Sequence, residues 1–172
     1  LNAAAGGTTV GTGPSPLRFD TSILLSGSPA NPSHWSASVI NHEYGHFVMD
    51  EYSLSPGEGG PHVVDQVSSP GLAWSEGWAT FSAQSGMSSA ALNPIYFDVQ
   101  GNVAFWIDIS RGNFIGGALP LPNPAGSLAQ GVNENIVAGL LWDLFRRRGE
   151  APVFQAIASD RVRLGAAIGR PG

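Results

Sequence analysis

His42-Glu43-Tyr44-Gly45-His46 is the stretch on which the fold turns. Two histidines four residues apart point the same way when the chain is α-helical, about one turn apart. At that separation two imidazole nitrogens can hold a single Zn²⁺. Glu43, beside the first histidine, can then take a proton from water that the metal activates. A helix is therefore expected from Trp35 to Asp50, with Ser33 or a neighbour as its cap. Val39, Ile40, Tyr44, Phe47 and Val48 give it apolar surface on more than one side, which predicts burial. Tyr44 faces away from the histidines and reads as a core residue, and His34, in the preceding loop, as an exposed one.

A catalytic zinc usually takes three protein ligands and keeps one position for water. The candidate third ligand is Glu76, thirty residues after His46 in Trp74-Ser75-Glu76-Gly77-Trp78-Ala79. The spacing predicts a helix from Gly71 to Ser85, with Trp74, Trp78, Phe81 and Ser85 along one stripe and Glu76, Thr80 and Ala83 along another. Taken alone, Glu76 reads better as a solvated helix charge; the motif upstream makes it a ligand candidate. Gly45 inside the first helix costs about 1 kcal/mol relative to alanine. Close contact of the two helices at Gly45 and Gly77 would explain it.

Working outward, residues 1–16 read as a flexible Gly-rich arm and Arg18 to Leu25 as a strand. Ser53 to Pro70 reads as a loop. Ile95 to Ile109 reads as a hairpin or two short strands around Gln100-Gly101-Asn102, and Gly112 to Gly131 as a long Pro/Gly-rich excursion. A third helix is expected from Glu134 to Arg148, capped by Asn133 and ended by Gly149, with Arg146 to Arg148 at the negative end of its dipole. Its predicted buried face is Ile136, Val137, Leu140, Leu141, Leu144 and Phe145. Pro152 would open a fourth helix with Phe154, Ile157, Leu164 and Ile168 inside.

The 172 residues, 42% of them apolar, suffice for one domain with a core, so 1–172 is read as a single domain. A net charge of −5 without a basic run argues against nucleic-acid binding. With no cysteine there can be neither disulfide nor thiolate metal site. No apolar run reaches the roughly 18 residues of a membrane span. The opening residues lack the charged region of a signal peptide, and only 34 residues precede the metal helix. A compact domain and a trimmed longer protein are both compatible with that.

His42-Glu43-Tyr44-Gly45-His46, Ser75-Glu76-Gly77-Trp78-Ala79 and Val137-Ala138-Gly139-Leu140-Leu141-Trp142-Asp143 together resemble the gluzincin clan of zinc metallopeptidases, nearest to its fungalysin-like branch and more distantly to thermolysin-like enzymes. The resemblance spans about residues 35–145 in three islands. It implies His42, His46 and Glu76 as zinc ligands, Glu43 as general base, a peptide or protein substrate and an extracytoplasmic location. The implied fold is α+β and zincin-like: a small sheet, an active-site helix and a mainly helical C-terminal half. Substrate would lie extended along the Arg18 to Leu25 strand.

Two positions depart from the clan. Thr80 stands where thermolysin-type members often place an aspartate that orients a ligand histidine. Neither Gly131 nor Asn133 is the histidine those enzymes bring near the start of the later helix. The oxyanion donor must then come from elsewhere, and His62 and Tyr96 are the candidates. Glu134 is either a helix N-terminal charge or a partner to a ligand histidine, and Asp143 is structural. The alternatives to a peptidase are a zinc-holding, non-catalytic binding or assembly domain, and a fragment active only within a longer protein. Glu43 speaks against the first, because a structural zinc site has no use for a base.

Overall fold

The computed structural model describes residues 23, 25, 29, 32–52, 58–60, 62, 66–87, 94–100, 103–110, 113–117 and 132–158. Four helices and a three-stranded sheet make up this part: α1 (Ala37–Tyr52), α2 (Pro70–Met87), β1 (Ile95–Gln100), β2 (Val103–Asp108), β3 (Asn113–Gly117), α3 (Glu134–Arg148) and α4 (Glu150–Ala158). Among the described residues no helix is long and apolar enough to cross a membrane.

α2 is the centre of the molecule, packed between α1 and α3 and touching β1. Its start follows local rules. Ser69 accepts the Leu72 amide on its hydroxyl at 3.2 Å, and Pro70 occupies the first helical position, where an amide would have no partner. Most of its residues from Ala73 to Ser85 are buried, so the helix has no solvated face. Small residues make the approach to both neighbours possible. A Cβ on Gly45 would lie 3.1 Å from the Ala79 Cα, and one on Gly77 would lie 2.7 Å from the Glu134 carbonyl oxygen. The Trp78 indole also donates to the Gly45 carbonyl at 3.1 Å, pinning α2 onto α1.

The sheet is antiparallel in the order β1-β2-β3. Tyr96 pairs with Ile107 and Asp98 with Phe105, and all four are buried, so every second residue of β1 and β2 faces the helices. Serines at the start of α1 hold the outer edge of β1. Ser36 donates its hydroxyl to the Phe97 carbonyl at 2.8 Å, and the Phe97 amide donates to the Ser38 hydroxyl at 3.1 Å. Ser36 also accepts the Val39 amide at 3.3 Å, which makes it, rather than Ser33, the cap of α1. β3 opens the segment read as an excursion, and residues 118–131 lie outside the described ones. Of the expected Arg18 to Leu25 strand only Ile23, in an isolated bridge, and Leu25, packed on the core, are described.

α3 starts and stops where its sequence signals lie: Asn133 accepts the Ile136 amide at 3.0 Å, and Gly149, at φ +82°, donates to the Phe145 carbonyl. A side chain would be strained at that φ. Its fully buried residues are Glu134, Asn135, Ala138 and Trp142; of the expected face Leu141 and Phe145 pack on the core, whereas Leu140 is 60% and Leu144 44% exposed. The orientation is set at Gly77, where Val137 and the Glu134 carbonyl come closest to α2 and leave Leu140 and Leu144 outside. Two further expectations need correction. Tyr44 is 53% exposed, stacked on Phe47, and Ile40 is 39% exposed, because only the opposite side of α1 meets α2. α4 begins at Glu150, so Pro152 sits third in its first turn, where the missing amide is still harmless. Val153 and Ile157 form its buried face; Leu164 and Ile168 lie outside the described residues.

Candidate metal centre

Three ligand atoms converge between α1 and α2. His42 Nε2 and His46 Nε2 are 3.1 Å apart, and Glu76 Oε2 lies 3.1 Å from the first and 3.2 Å from the second. The α-helical i, i+4 spacing aligns the two imidazoles, and the Gly45–Ala79 contact brings Glu76 opposite them. A tetrahedral ion with bonds of about 2.0–2.1 Å spaces its ligand atoms about 3.3 Å apart, so the triangle has the right size for zinc. All three side chains are buried.

The far sides of the rings support the same arrangement. Thr80 Oγ1 lies 3.2 Å from His42 Nδ1, and Ser75 Oγ lies 3.4 Å from His46 Nδ1. Each hydroxyl oxygen can accept an Nδ1 proton, and in that tautomer both Nε2 lone pairs face one another and a carboxylate. Such a convergence of electron pairs is unfavourable unless a cation lies among them. Thr80 thus occupies the ring-orienting place with a neutral oxygen in place of a carboxylate.

The electrostatics follow from burial and charge. Burial lowers the pKa of His42, and the neighbouring His46 adds to the effect. Burial pushes His46 the same way, but the hydrogen bond and charge of Glu76, with Glu43, raise it overall. For Glu76 burial favours the neutral form, yet its two histidine partners hold the carboxyl well below the usual range. Glu43 goes the other way. Burial, helped by Glu76 and Asp98 and opposed by His46, raises its pKa to about 7. Its Oε2 is buried without a hydrogen-bond partner. An orphaned carboxylate oxygen beside a convergent donor set is what a water-activating base requires before water is bound.

Tyr96 reaches this centre from β1: its ring centroid is 5.8 Å from that of His42, and its side chain is buried. Burial first, then the surrounding Asp98, Glu134, Glu43 and Glu76, raise the phenol far above its ordinary pKa, so it keeps its proton. His62 also arrives, from the segment before α2. Its Nδ1 lies 2.9 Å from the Gly60 carbonyl, which can only accept. Nε2 lies 3.4 Å from Glu76 Oε2 and 3.4 Å from Glu134 Oε2. His34 is exposed, as expected, with its ring against Trp35. Asp143 is exposed and paired with Arg147 at 2.9 Å.

Sequence reasoning missed one buried member of the site, Asp98, on the same face of β1 as Tyr96. The period-two pattern of a strand carried that signal, because residues 96 and 98 must share a face. The contact of Glu134 with His62 was beyond sequence. It depends on an isolated bridge, Ser68 to Val132, which ties the chain entering α2 to the chain entering α3.

The chain matches the family described as Mycolysin C-terminal domain over residues 20–161, a span that contains every element above. No curated protein and no solved structure matches it.

Proposed function

For a chain that belongs to the Mycolysin C-terminal domain family, and so to a part of a peptidase, we propose that the α1–α2 centre is a zinc site for hydrolysing peptide bonds. His42, His46 and Glu76 would hold the ion, in the manner of the thermolysin-like and fungalysin-like peptidases that the sequence resembles. Zinc in such a site supplies Lewis acidity, making water acidic enough to attack near neutral pH and polarising the scissile carbonyl.

The chain's own residues do the rest. Glu43, with its unpartnered Oε2, takes the proton of the attacking water and returns it to the leaving amine. Its pKa near 7 suits both halves of that task. Tyr96, held protonated beside His42, is the donor for the oxyanion. Thr80 and Ser75 hold the two ligand rings in the tautomer that leaves Nε2 free. The substrate class is peptide or protein. An extracytoplasmic location goes with a peptidase of this type. The zincin-like α+β fold belongs to the same reading: a helix bearing both histidines, a second bearing the glutamate, and a small sheet beside them.

The observation that carries this reading is Glu43, buried and orphaned next to three convergent ligand atoms. The family description supports a second reading more than it supports catalysis. A C-terminal domain of a peptidase fits a non-catalytic zinc-holding part, or one active only within a longer protein. One experiment separates them: hydrolysis of an unfolded protein by the zinc-loaded chain, against Glu43→Gln at equal zinc content. Cleavage lost only in the variant is the expected result. Stoichiometric zinc with no cleavage by either protein would establish the second reading.

A further inference from the structure

His62 makes an arrangement that hydrolysis at the first centre does not use. Its Nδ1 proton is committed to the Gly60 carbonyl at 2.9 Å, the kind of outer hydrogen bond that fixes the tautomer of metal-binding histidines. Its Nε2 then faces two carboxylate oxygens, Glu76 Oε2 and Glu134 Oε2, each 3.4 Å away. A charge-assisted N–H···O bond is shorter, about 2.7–2.9 Å. The observed separation is instead close to the edge of about 3.3 Å expected between two ligands of one tetrahedral ion. The ligand atoms of His62, Glu76 and Glu134 all lie within 4.8 Å of one another, and both glutamates are buried.

We propose that His62, Glu76 and Glu134 form a second divalent-cation site that shares Glu76 with the first. This rests on the reading of the first site, because the shared carboxylate belongs to both. The donor set selects the ion's class. One imidazole and two carboxylates suit zinc or manganese and disfavour calcium, which takes oxygen ligands throughout. With one imidazole in place of two, the second site binds zinc more weakly than the first. Charge points the same way: Glu43, Glu76, Asp98 and Glu134 all bear on the Tyr96 hydroxyl. Among the described residues the arginines, Arg146, Arg147 and Arg148, lie on the exposed last turn of α3. A pair of divalent ions offsets four carboxylates where a single one does not.

The test is equilibrium dialysis of the metal-stripped 172-residue chain against Zn²⁺, and separately Mn²⁺, with bound metal measured per chain. The unaltered chain is expected to take two equivalents of zinc in two steps. Glu134→Gln and His62→Asn should each stop at one, with unchanged helical circular dichroism. His62 precedes α2 in an irregular segment, so its variant keeps the test valid should Glu134→Gln unfold. Saturation of the unaltered chain at one equivalent overturns the second site while leaving the first intact, and would mean an imidazolium bridging the two carboxylates. Two equivalents persisting in both variants would place the second ion elsewhere and overturn it as well. No zinc bound at all would remove both sites.

Discussion

The two sides of α2 are built from opposite materials. Towards α1 it presents Ser75, Glu76 and Thr80, all buried and all directed at imidazole rings. Towards α3 and α4 it presents Phe81, whose ring centroid lies 6.0 Å from Phe145 and 6.3 Å from Phe154, while Trp78 bridges the two sides, 5.2 Å from Phe154 and hydrogen-bonded to Gly45 of α1. The aromatic side supplies apolar burial, the main favourable term in folding. The polar side gathers carboxylates that burial penalises. Stability and chemistry are thus divided between two faces of one helix, and the chemical face is tolerable because the other is well packed.

The division can be broken from either side. Phe81→Ala should have the largest effect on stability, about 3–5 kcal/mol lost in urea unfolding, since the ring is fully buried. Zinc affinity of the folded fraction should stay the same. A variant that lost zinc in proportion to stability would show that the two faces are not separable.

Glu43→Gln tests the other side through pH. The folded-state pKa of Glu43 is raised from 4.5 to about 7, so the folded protein holds a proton that the unfolded one releases between those values. That contribution to stability is complete below pH 4.5 and is lost as pH rises through 7. The metal-free variant should therefore exceed its parent by roughly 3 kcal/mol at pH 8, with the gap closing at pH 4. Equal stability at both values would mean that the carboxylate finds a partner when ionised.

Thr80→Val sharpens the comparison at the boundary of the faces. It removes the hydroxyl near His42 Nδ1 while keeping the volume, and should weaken zinc binding about 10- to 100-fold. Competition with a chelator of known affinity reads this directly, and unchanged binding would remove Thr80 from the site. The smallest effect is expected on the outer helix. Leu140→Ala should shift stability by less than about 0.5 kcal/mol, because the side chain is 60% exposed. A larger loss would put Leu140 on the buried face that its sequence pattern suggested.

That pattern shows where sequence reading is weakest. Periodicity identifies amphipathic helices, and α2, buried all round with polar residues inside, presents no such contrast. For α3 the leucines at 140 and 144 were a misleading guide to the core. Its closest approach to α2 was set at Gly77, which Glu134 and Val137 meet. The hairpin and the caps of α3 were more legible, because turns and caps depend on adjacent residues.

By itself the sequence determined that His42 and His46 share a helical face with Glu43 beside them, that Glu76 follows on its own helix, and that Asn133 and Gly149 bound the third helix. These are consequences of spacing within a few residues, which backbone geometry fixes. Only the tertiary structure decided that Thr80 and Ser75 stand against the outer nitrogens of the two rings, that Asp98 lies inside beside Tyr96, and that His62 sets Nδ1 on a carbonyl and turns Nε2 on Glu76 and Glu134. Those contacts join residues on five separate segments. Their geometry comes from how closely the helices pack at two glycines, which no local pattern encodes.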